Sequence, residues 1–527
     1  MRRPDTFQFH YKDCELMNED LIRKPSRRTV LQVAATSLLA SSALPRPGAA
    51  QTRALTITTT GILNNANPYA HSSIHLYYIW SQVYGSLGRY NYGRKAYEGV
   101  LAESWEVVEP TRWRFRLRSD LKRHDGGPGP TARDVVHSWR RILSDAASQQ
   151  AFYLTEVEKF EAVDDRTVDI VTKRPVAQLL SFLFDRFVVT SADLYEKHGG
   201  DADKIAAFGW GPYKLERFDI DRSVIVARNP FWPNMPAAAP ETVVYRLILE
   251  PEQRVTALLN NEVQIARLIP PQLVDRLKSN SGVRQIETGS LEWMFLGMNT
   301  AIKPFDNPRV RRAVAHAIDA DLIIKRLLFG LADRMQGAIG NFQDCFGPSA
   351  NRPAYDPGRA KALLAEAGFP NGFDVEFSTA NGRYVSDRQI GEALAQMLRQ
   401  VGIRARLNTP DYANFTNDIR QGKLPLYYTG RAASNDQIEA LAQYFETGGS
   451  RRTNYSDPEA DRLFKDVRSA FGVEKQCALQ RTLSDKLSQD SPVVFLWTHR
   501  LVNGVRANVD WPADATGEPW LTDISVR

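Results

Sequence analysis

One stretch in the second half of the chain restricts the fold more than any other: a helical pattern, a single glycine and a strand pattern in direct succession. Apolar residues recur at helical spacing at Ile390, Leu394 and Leu398, and the pattern ends at Gly402. Residues 403–407 then alternate between apolar and charged side chains, as a half-buried strand does. A helix joined to a strand through one glycine is a unit of α/β architecture, so the sequence predicts an α/β fold.

Further helix and strand patterns occur along the rest of the chain. Asn307 and Asp356 each precede a proline, the arrangement in which a capping residue is followed by the first helical position. Thr131 opens another helix, with Asp134 in its first turn. A chain of 527 residues exceeds one ordinary core, since domains average roughly 150 residues, so at least two lobes are expected. A further helix is predicted at 74–87, and strands are predicted at 55–60, 112–118, 166–172, 223–228 and 242–249.

The charge balance argues against a nucleic-acid-binding protein. The chain carries 67 Lys and Arg against 61 Asp and Glu. Residues 1–50 contain 8 of the basic and 5 of the acidic residues, which leaves 59 against 56 for the remainder. Nucleic-acid-binding domains carry a concentrated basic excess. The arginines that alternate with apolar residues at 112–118 are therefore interpreted as the outer face of a half-buried strand, with a nucleic-acid stripe as the alternative.

Hydropathy and cysteine content exclude two further classes. Apart from the N-terminal region, no run approaches the ~20 apolar residues that span a bilayer, which argues against an integral membrane protein. The three cysteines, Cys14, Cys345 and Cys477, are too few for a disulfide scaffold and lack the spacing of a metal site. The sequence leaves the redox state of Cys345 and Cys477 open.

Residues 1–50 are predicted to be an export signal with an N-terminal extension. A basic stretch precedes an apolar segment from Val30 to Leu44, and small residues follow. SRRTVL at 26–31 resembles the twin-arginine export motif, with a general secretory signal as the alternative. No cysteine follows the apolar segment, so we expect a soluble periplasmic protein without a lipid anchor. Translation starts at either Met1 or Met17.

The sequence contains no recognisable catalytic signature. The nucleophile elbow, the zinc-protease motif, the phosphate loop and the dinucleotide-binding motif are all absent from it. His71 and His75 are spaced to share one face of a helix, but no acidic or cysteine ligand is adjacent to them. We therefore predict a protein that is not an enzyme and that uses neither a metal nor a cofactor.

Several widely separated segments, taken in order, resemble a known family. LAESW at 101–105 is followed by RWRFRLR, HDGGP and TARDVVHSW, and GWGPY at 209–213 precedes RNPFW at 228–232. MNTAIKPFDNPRVRRAVAHAID follows at 298–319, and YDPGRAKALLAEAG, LRQVGI and NYSDPEAD complete the series. The series resembles the family-five extracellular solute-binding proteins, which are the dipeptide, oligopeptide and nickel receptors of ABC importers.

The resemblance implies a two-lobed periplasmic binding protein fold of α/β class, with the ligand in the cleft between the lobes. Lobe I is expected to comprise residues 51–297, with residues 93–207 as an inserted subdomain. Lobe II is expected to comprise residues 298–492, and residues 493–527 are expected to return to lobe I.

The resemblance also implies a function. Two hinge strands are expected to cross between the lobes near residues 295–298 and 494–497. Closure about them would capture a peptide-like or other small polar solute, which a monomer would deliver to an ABC transporter permease. The alternatives are a receptor for a nickel complex, an opine or a glycoside on the same scaffold and, from another class, a periplasmic hydrolase.

Two loops hold the polar candidates for ligand binding. In relatives, ligand-contacting residues precede the helix that begins near 389; here Arg383 and Tyr384 occupy that loop, and Arg383 is suited to gripping a carboxylate. In peptide-binding relatives an acidic residue of lobe II holds the ammonium group of the ligand. The matching segment here lacks the family's Trp and Asp-Pro pair, and it offers Arg431, Asn435 and Asp436. Two cationic candidates against one acid predict a ligand with at least one anionic group, with arginines that are solvated or paired with surface carboxylates as the alternative.

Aromatic residues form a second set of candidates. Large flat side chains supply apolar area at low conformational cost and stack on ligands. The resemblance places four of them near the cleft or the hinge strands, with packing in a core as the alternative: Tyr69, Trp293, Tyr428 and Trp497.

Overall fold

The computed structural model describes most of the chain after the predicted export signal. That signal, at residues 1–50, lies outside the described residues. The described ranges are 53–61, 65–71, 74–200, 208–432, 434–448 and 451–527.

Helices and strands alternate through much of the described chain, as the sequence predicts for an α/β protein. The strands are β1 (Ala54–Thr59), β2 (Gly88–Asn91), β3 (Ala96–Gly99), β4 (Ala102–Glu109), β5 (Arg112–Leu117), β6 (Val157–Ala162), β7 (Thr167–Thr172), β8 (Tyr213–Asp219), β9 (Ser223–Arg228), β10 (Thr242–Leu247), β11 (Ile265–Ala266), β12 (Val283–Thr288), β13 (Glu292–Met298), β14 (Ala332–Arg334), β15 (Phe373–Thr379), β16 (Ile403–Asn408), β17 (Leu426–Ala432), β18 (Val493–His499), β19 (Leu501–Arg506), β20 (Val509–Asp510) and β21 (Ser525–Val526). The α-helices are α1 (Ile74–Trp80), α2 (Ala132–Ser144), α3 (Leu179–Arg186), α4 (Ala192–Lys197), α5 (Pro251–Leu259), α6 (Val274–Lys278), α7 (Pro308–Ala317), α8 (Ala320–Arg326), α9 (Pro357–Glu366), α10 (Asp387–Gln400), α11 (Tyr412–Arg420), α12 (Ile438–Phe445), α13 (Pro458–Arg468) and α14 (Val473–Asp490).

Two large mixed sheets organise the fold. The first has seven strands in the order β12-β19-β11-β1-β10-β9-β8, and the second has six in the order β14-β18-β13-β17-β15-β16. We call the part built on the first sheet lobe I and the part built on the second sheet lobe II. Strand β1 runs parallel to β10 and β11, and β15 runs parallel to β16 and β17. Parallel pairs of this kind need crossover connections between their strands. Each lobe has its own large cluster of buried apolar side chains.

A smaller antiparallel sheet, in the order β4-β5-β7-β6, extends lobe I. The alternation predicted at 112–118 is present, because Trp113, Phe115 and Leu117 are buried. On the other face of β5, Arg112 and Arg114 bind the carboxylate of Asp169, with N–O distances of 2.9 and 2.8 Å. The arginines of this strand are thus partly neutralised within the sheet, which favours the structural interpretation over a nucleic-acid stripe.

Local capping explains why several helices begin where the sequence predicts. The Thr131 side chain accepts a hydrogen bond from the Asp134 amide, and the Asp134 carboxylate accepts one from the Thr131 amide, which forms a capping box. Asn307 and Asp356 accept hydrogen bonds from the first turns of α7 and α9. Gly402 has a φ of +98°, a conformation that strains other residues, and it joins α10 to β16.

The chain passes between the two sheets at two short connections. It leaves β12 at Thr288 and enters β13 at Glu292, and it leaves β18 at His499 and enters β19 at Leu501. Both predicted hinge segments, 295–298 and 494–497, lie inside the six-stranded sheet. The first connection includes Gly289, where a Cβ atom would come within 2.3 Å of the Phe342 ring.

A disulfide bond joins Cys345 to Cys477, which are 132 residues apart in sequence. It ties the loop before Phe346 to helix α14, within a small buried cluster that also contains Ile339. The sequence left the state of these two cysteines open, because pairing depends on proximity in the fold.

Within the described ranges, no helix combines the length and the apolar character that a membrane span requires.

Candidate binding cleft

The two lobes touch each other in several places. From lobe I, the hairpin of β2 and β3 presents Tyr90 and Tyr97: the Tyr90 hydroxyl donates to the Asp344 carboxylate, and the Tyr97 hydroxyl accepts from the Asn435 side chain at 2.9 Å. The Asn435 amide also donates to Asp344 at 2.9 Å, so these four side chains form one network. On another side, the backbone amide of Ala177 donates to the carbonyl of Arg468 at 2.8 Å.

The lobe II wall of the cleft carries more positive than negative charge. Arg383 lies 3.6 Å from the carboxylate of Glu292, the first residue of β13. The Arg383 guanidinium also lies over the rings of Tyr384 and Tyr412, at 4.9 and 5.5 Å from their centroids. Burial raises the pKa of Glu292, while the positive charges of Arg383 and Arg431 oppose that rise. One carboxylate therefore faces two guanidinium groups.

The loop that carries Arg383 is held by a buried carboxylate. Asp387, at the start of α10, accepts hydrogen bonds from the backbone amides of Gly382, Arg383 and Tyr384 at 2.9–3.1 Å. These bonds fix the backbone of the loop and leave the Arg383 side chain 45% exposed. The Tyr384 hydroxyl lies 3.1 Å from the hydroxyl of Thr429 on β17, which attaches the loop to the sheet.

The hydrogen-bonding groups of Arg431 are only partly paired among the described residues. Its guanidinium donates to the side chain of Gln443 at 2.8 Å, and its buried Nε atom has no hydrogen-bond partner among the described residues. Within the same described residues, no carboxylate lies at ion-pair distance from it. Buried polar groups are normally hydrogen-bonded, so Arg431 is equipped to bind an anion.

The lobe I wall contains a buried ion pair that is joined by a histidine. Arg267, on the segment after β11, donates to the carboxylate of Glu518 and, at 2.9 Å, to the carbonyl of Gly517. His75 on α1 contacts the same carboxylate and is close enough to Glu292 of lobe II to influence its pKa. Burial opposes ionisation of Glu518, but Arg267 and His75 hold its pKa below the ordinary value.

A cavity of about 490 Å³ adjoins this wall. Its lining combines aromatic side chains with acidic and basic ones, including Tyr78, Tyr90, Phe184, Asp185, Asp514 and Trp520. Tyr90 also takes part in the network between the lobes, and Glu518 of the buried ion pair lies on the cavity wall. The volume is within the range of small-molecule sites.

The predicted aromatic contacts are all deeply buried. Tyr69 packs in lobe I and uses its hydroxyl on the Val188 carbonyl at 3.0 Å. Trp293, Tyr428 and Trp497 belong to the lobe II core, and each is 0% exposed. Trp293 packs 4.7 Å from the Phe295 ring, measured between centroids. These surroundings favour the core-packing alternative for all four residues, and their role in ligand binding stays a prediction.

Asp436 and Asn435 already bind groups of the protein. The Asp436 carboxylate accepts hydrogen bonds from the Ile438 amide at 2.8 Å and from the Gln480 side chain at 2.7 Å. Burial raises its pKa to about 6. Asp436 therefore holds the start of α12 against α14, and Asn435 joins the lobes. Glu292 is the acid that lies beside Arg383, and no sequence motif pointed to it.

His75 of the predicted histidine pair binds the carboxylate of Glu518, and His71, which precedes α1, is buried in lobe I. Among the described residues, no group of three His, Cys, Asp or Glu side chains is arranged to hold a metal ion.

Comparison with known proteins identifies the family. A sequence profile of the bacterial extracellular solute-binding proteins, family 5 (middle region), matches residues 96–452. The glutathione-binding protein GsiB of Pectobacterium atrosepticum is 28% identical over 421 residues, which cover 77% of this chain and 80% of that protein. The structure of HbpA2 from Haemophilus parasuis has a TM-score of 0.81 at 21% identity and covers 90% of this chain and 100% of its own.

A ligand-bound structure shares the fold as well. A dipeptide-binding protein from Pseudoalteromonas sp. SM9913, solved in complex with Met-Leu, has a TM-score of 0.74 at 20% identity, covering 90% of this chain and 100% of that one. The two-lobed periplasmic binding protein fold expected from the sequence is thus confirmed. With the profile matching well over half of its length, the chain belongs to the bacterial extracellular solute-binding proteins of family 5.

Proposed function

We propose that this protein is a periplasmic receptor that captures a peptide-like solute between its two lobes and delivers it to an ABC transporter permease. Closure about the two connections brings groups of both lobes onto the solute, and the solute stabilises the closed state through those contacts. A glutathione-binding relative and a dipeptide-bound structural neighbour support a peptide-like solute.

The charge of the lobe II wall carries the proposal for the solute. Arg383 and Arg431 share one nearby carboxylate, Glu292, and Arg431 has no ion-pair partner among the described residues. A charge that is withdrawn from water needs a counter-charge, because an unpaired one costs several kcal/mol. A carboxylate of the solute provides it, and a guanidinium can bind a carboxylate through two hydrogen bonds. We infer that the solute carries at least one carboxylate.

Mass spectrometry of small molecules that co-purify with the protein, followed by calorimetric titration, tests this proposal. Glutathione and a set of dipeptides serve as the first probes. Arg383→Ala and Arg431→Ala should each weaken binding of a carboxylate-bearing probe by about 2–5 kcal/mol. Arg404→Ala is the matched control, since Arg404 lies on β16 and pairs with Asp374 on the surface.

Two results would contradict the proposal. If both arginine variants bind within threefold of the parent, the carboxylate is not held on this wall. If a stabilising compound is converted rather than recovered intact, the protein is an enzyme, and the hydrolase alternative takes precedence.

We further propose that the chain is exported through the twin-arginine route. Arg27 and Arg28 lie outside the described residues, so the support is the sequence motif alone. Changing both residues to lysine should leave the precursor in the cytoplasm, as cell fractionation would show. Normal export of the double variant would instead indicate a general secretory signal.

A further inference from the structure

The cavity in lobe I contains a buried carboxylate that no described residue pairs with. Asp185 lies in the last turn of α3, lines the cavity and is 8% exposed. Among the described residues, no group donates a hydrogen bond to it or lies at ion-pair distance. The negative end of the helix dipole also disfavours an anion at this position.

A second carboxylate faces the same cavity. Asp514 lies on the C-terminal segment and accepts a hydrogen bond from the Thr516 amide at 2.8 Å. Its negative charge, together with burial as the larger cause, raises the pKa of Asp185 to about 7, against the opposing influence of Arg186. Two acids from distant parts of the chain therefore converge on one enclosed space.

The basic groups of the cavity are already neutralised. Arg89 binds Glu98 at 2.8 Å and Asp523 at 2.7 Å, and it lies over the Trp520 ring. Arg94 also binds Glu98, at 3.0 Å, and is 78% exposed. Two basic and two acidic side chains thus balance one another at the rim, which leaves Asp185 and Asp514 as the excess charge of the lining.

Aromatic rings form much of the remaining wall. Tyr78, Tyr90 and Phe184 line the cavity together with Asp185, and Phe184 is only 2% exposed. The faces of aromatic rings attract cations, more strongly when water is excluded. A carboxylate surrounded by aromatic rings therefore suits an organic ammonium or guanidinium group rather than a neutral or anionic one.

We propose that the solute carries a cationic side chain, ending in an ammonium or a guanidinium, which enters the lobe I cavity and binds Asp185 and Asp514 among the aromatic rings. The inference rests on the proposed function and deepens it. The solute then spans the cleft, with a carboxylate on the arginines of lobe II and a cation in lobe I. Peptides with a basic residue have this charge distribution.

Calorimetry with a matched pair of dipeptides tests the inference. Gly-Lys and Gly-norleucine differ chiefly by the terminal ammonium, and agmatine serves as a cationic probe that is not a peptide. The parent should bind Gly-Lys at least about tenfold more tightly than Gly-norleucine. Asp185→Asn should abolish that preference and the binding of agmatine, and retained binding of Gly-norleucine shows that the variant is folded. Asp193→Asn, at an exposed position of α4, is the control with the same change of charge.

The outcomes separate this inference from the proposed function. Equal binding of the two dipeptides by the parent, or failure of every cationic probe to bind it, overturns the cation site. Dipeptide binding without a charge preference leaves the peptide receptor in place. Conversely, if agmatine binds and Asp185→Asn abolishes its binding while no peptide binds, the cation site stands and the peptide assignment fails.

Discussion

Two buried charged groups near the contacts between the lobes differ in how far their charge is satisfied. Arg468, at the end of α13, is 2% exposed and binds both Glu439 and Glu446 through paired hydrogen bonds of 2.6–3.1 Å. Asp185 is almost as deeply buried, yet among the described residues it has neither a hydrogen-bond donor nor an ion-pair partner.

This difference distinguishes a charge that stabilises the fold from a charge that is available to a ligand. A buried charge with a complete set of partners stabilises the fold as long as those partners remain, and removing one partner is strongly destabilising. A buried charge without partners weakens the fold, and such groups cluster where a ligand is bound. On this reasoning Arg468 anchors lobe II, while Asp185 is maintained at the expense of stability.

The largest effect is expected when Arg468, the buried charge with a complete set of partners, is replaced. Arg468→Met should lower the free energy of unfolding by about 3–5 kcal/mol, because the buried guanidinium is lost and two half-buried glutamates lose their counter-charge. Urea denaturation measures it. The exposed Arg404→Met is the control and should leave the midpoint unchanged. A small effect for Arg468→Met would mean that Arg468 and Asp185 do not differ in how they affect stability.

Replacing Asp185 should change the stability of the protein in the opposite direction. Asp185 has a pKa raised to about 7 by burial, so its contribution to stability is present below the unfolded value, near pH ~4, and is lost as the pH rises through about 7. Asp185→Asn should therefore be more stable than the parent at pH 8, by about 2–4 kcal/mol, and equal to it near pH 4. Thermal unfolding across this range tests it; a destabilised variant at pH 8 would show that Asp185 has a partner.

The smallest effect concerns a neutral contact between the same lobes. Tyr97→Phe removes the hydroxyl that accepts from Asn435, a neutral hydrogen bond of about 0.5–1.5 kcal/mol. Solute affinity should fall by about two- to tenfold, mainly through faster release, while unfolding of the free protein changes little. Stopped-flow dissociation measures it. If Tyr97→Phe lowers the binding free energy by as much as Arg468→Met lowers the free energy of unfolding, charge is not what distinguishes these contacts.

Local structure was predictable from the sequence because its causes are local. Thr131, Asn307 and Asp356 cap their helices through bonds within three residues, and Gly402 ends α10 through its own conformation. The order of motifs was enough to predict the family and therefore the two-lobed fold. Arg383 lies on a loop next to Glu292, and its role in ligand binding stays a prediction.

The site was less predictable because its groups come from distant segments. Asp185 and Asp514 meet only after the C-terminal segment has folded back onto lobe I, and no spacing in the sequence records that encounter. Trp293 and Trp497 show the converse problem, since a core and a cleft select the same aromatic side chains. Asp436 looked like a free acid, but Gln480 of another helix binds it.

The disulfide between Cys345 and Cys477 links solute binding to the cellular compartment in which the chain is located. It anchors the residue next to Asp344, which accepts a hydrogen bond from Asn435 of its own lobe and one from Tyr90 across the cleft. A loop that is covalently restrained loses less entropy when the lobes meet, so the bond preorganises closure. Such bonds form in oxidising compartments. On the proposed export route, a precursor still in the reducing cytoplasm would hold its solute less tightly than the exported protein, and reaching the right compartment would itself complete the receptor.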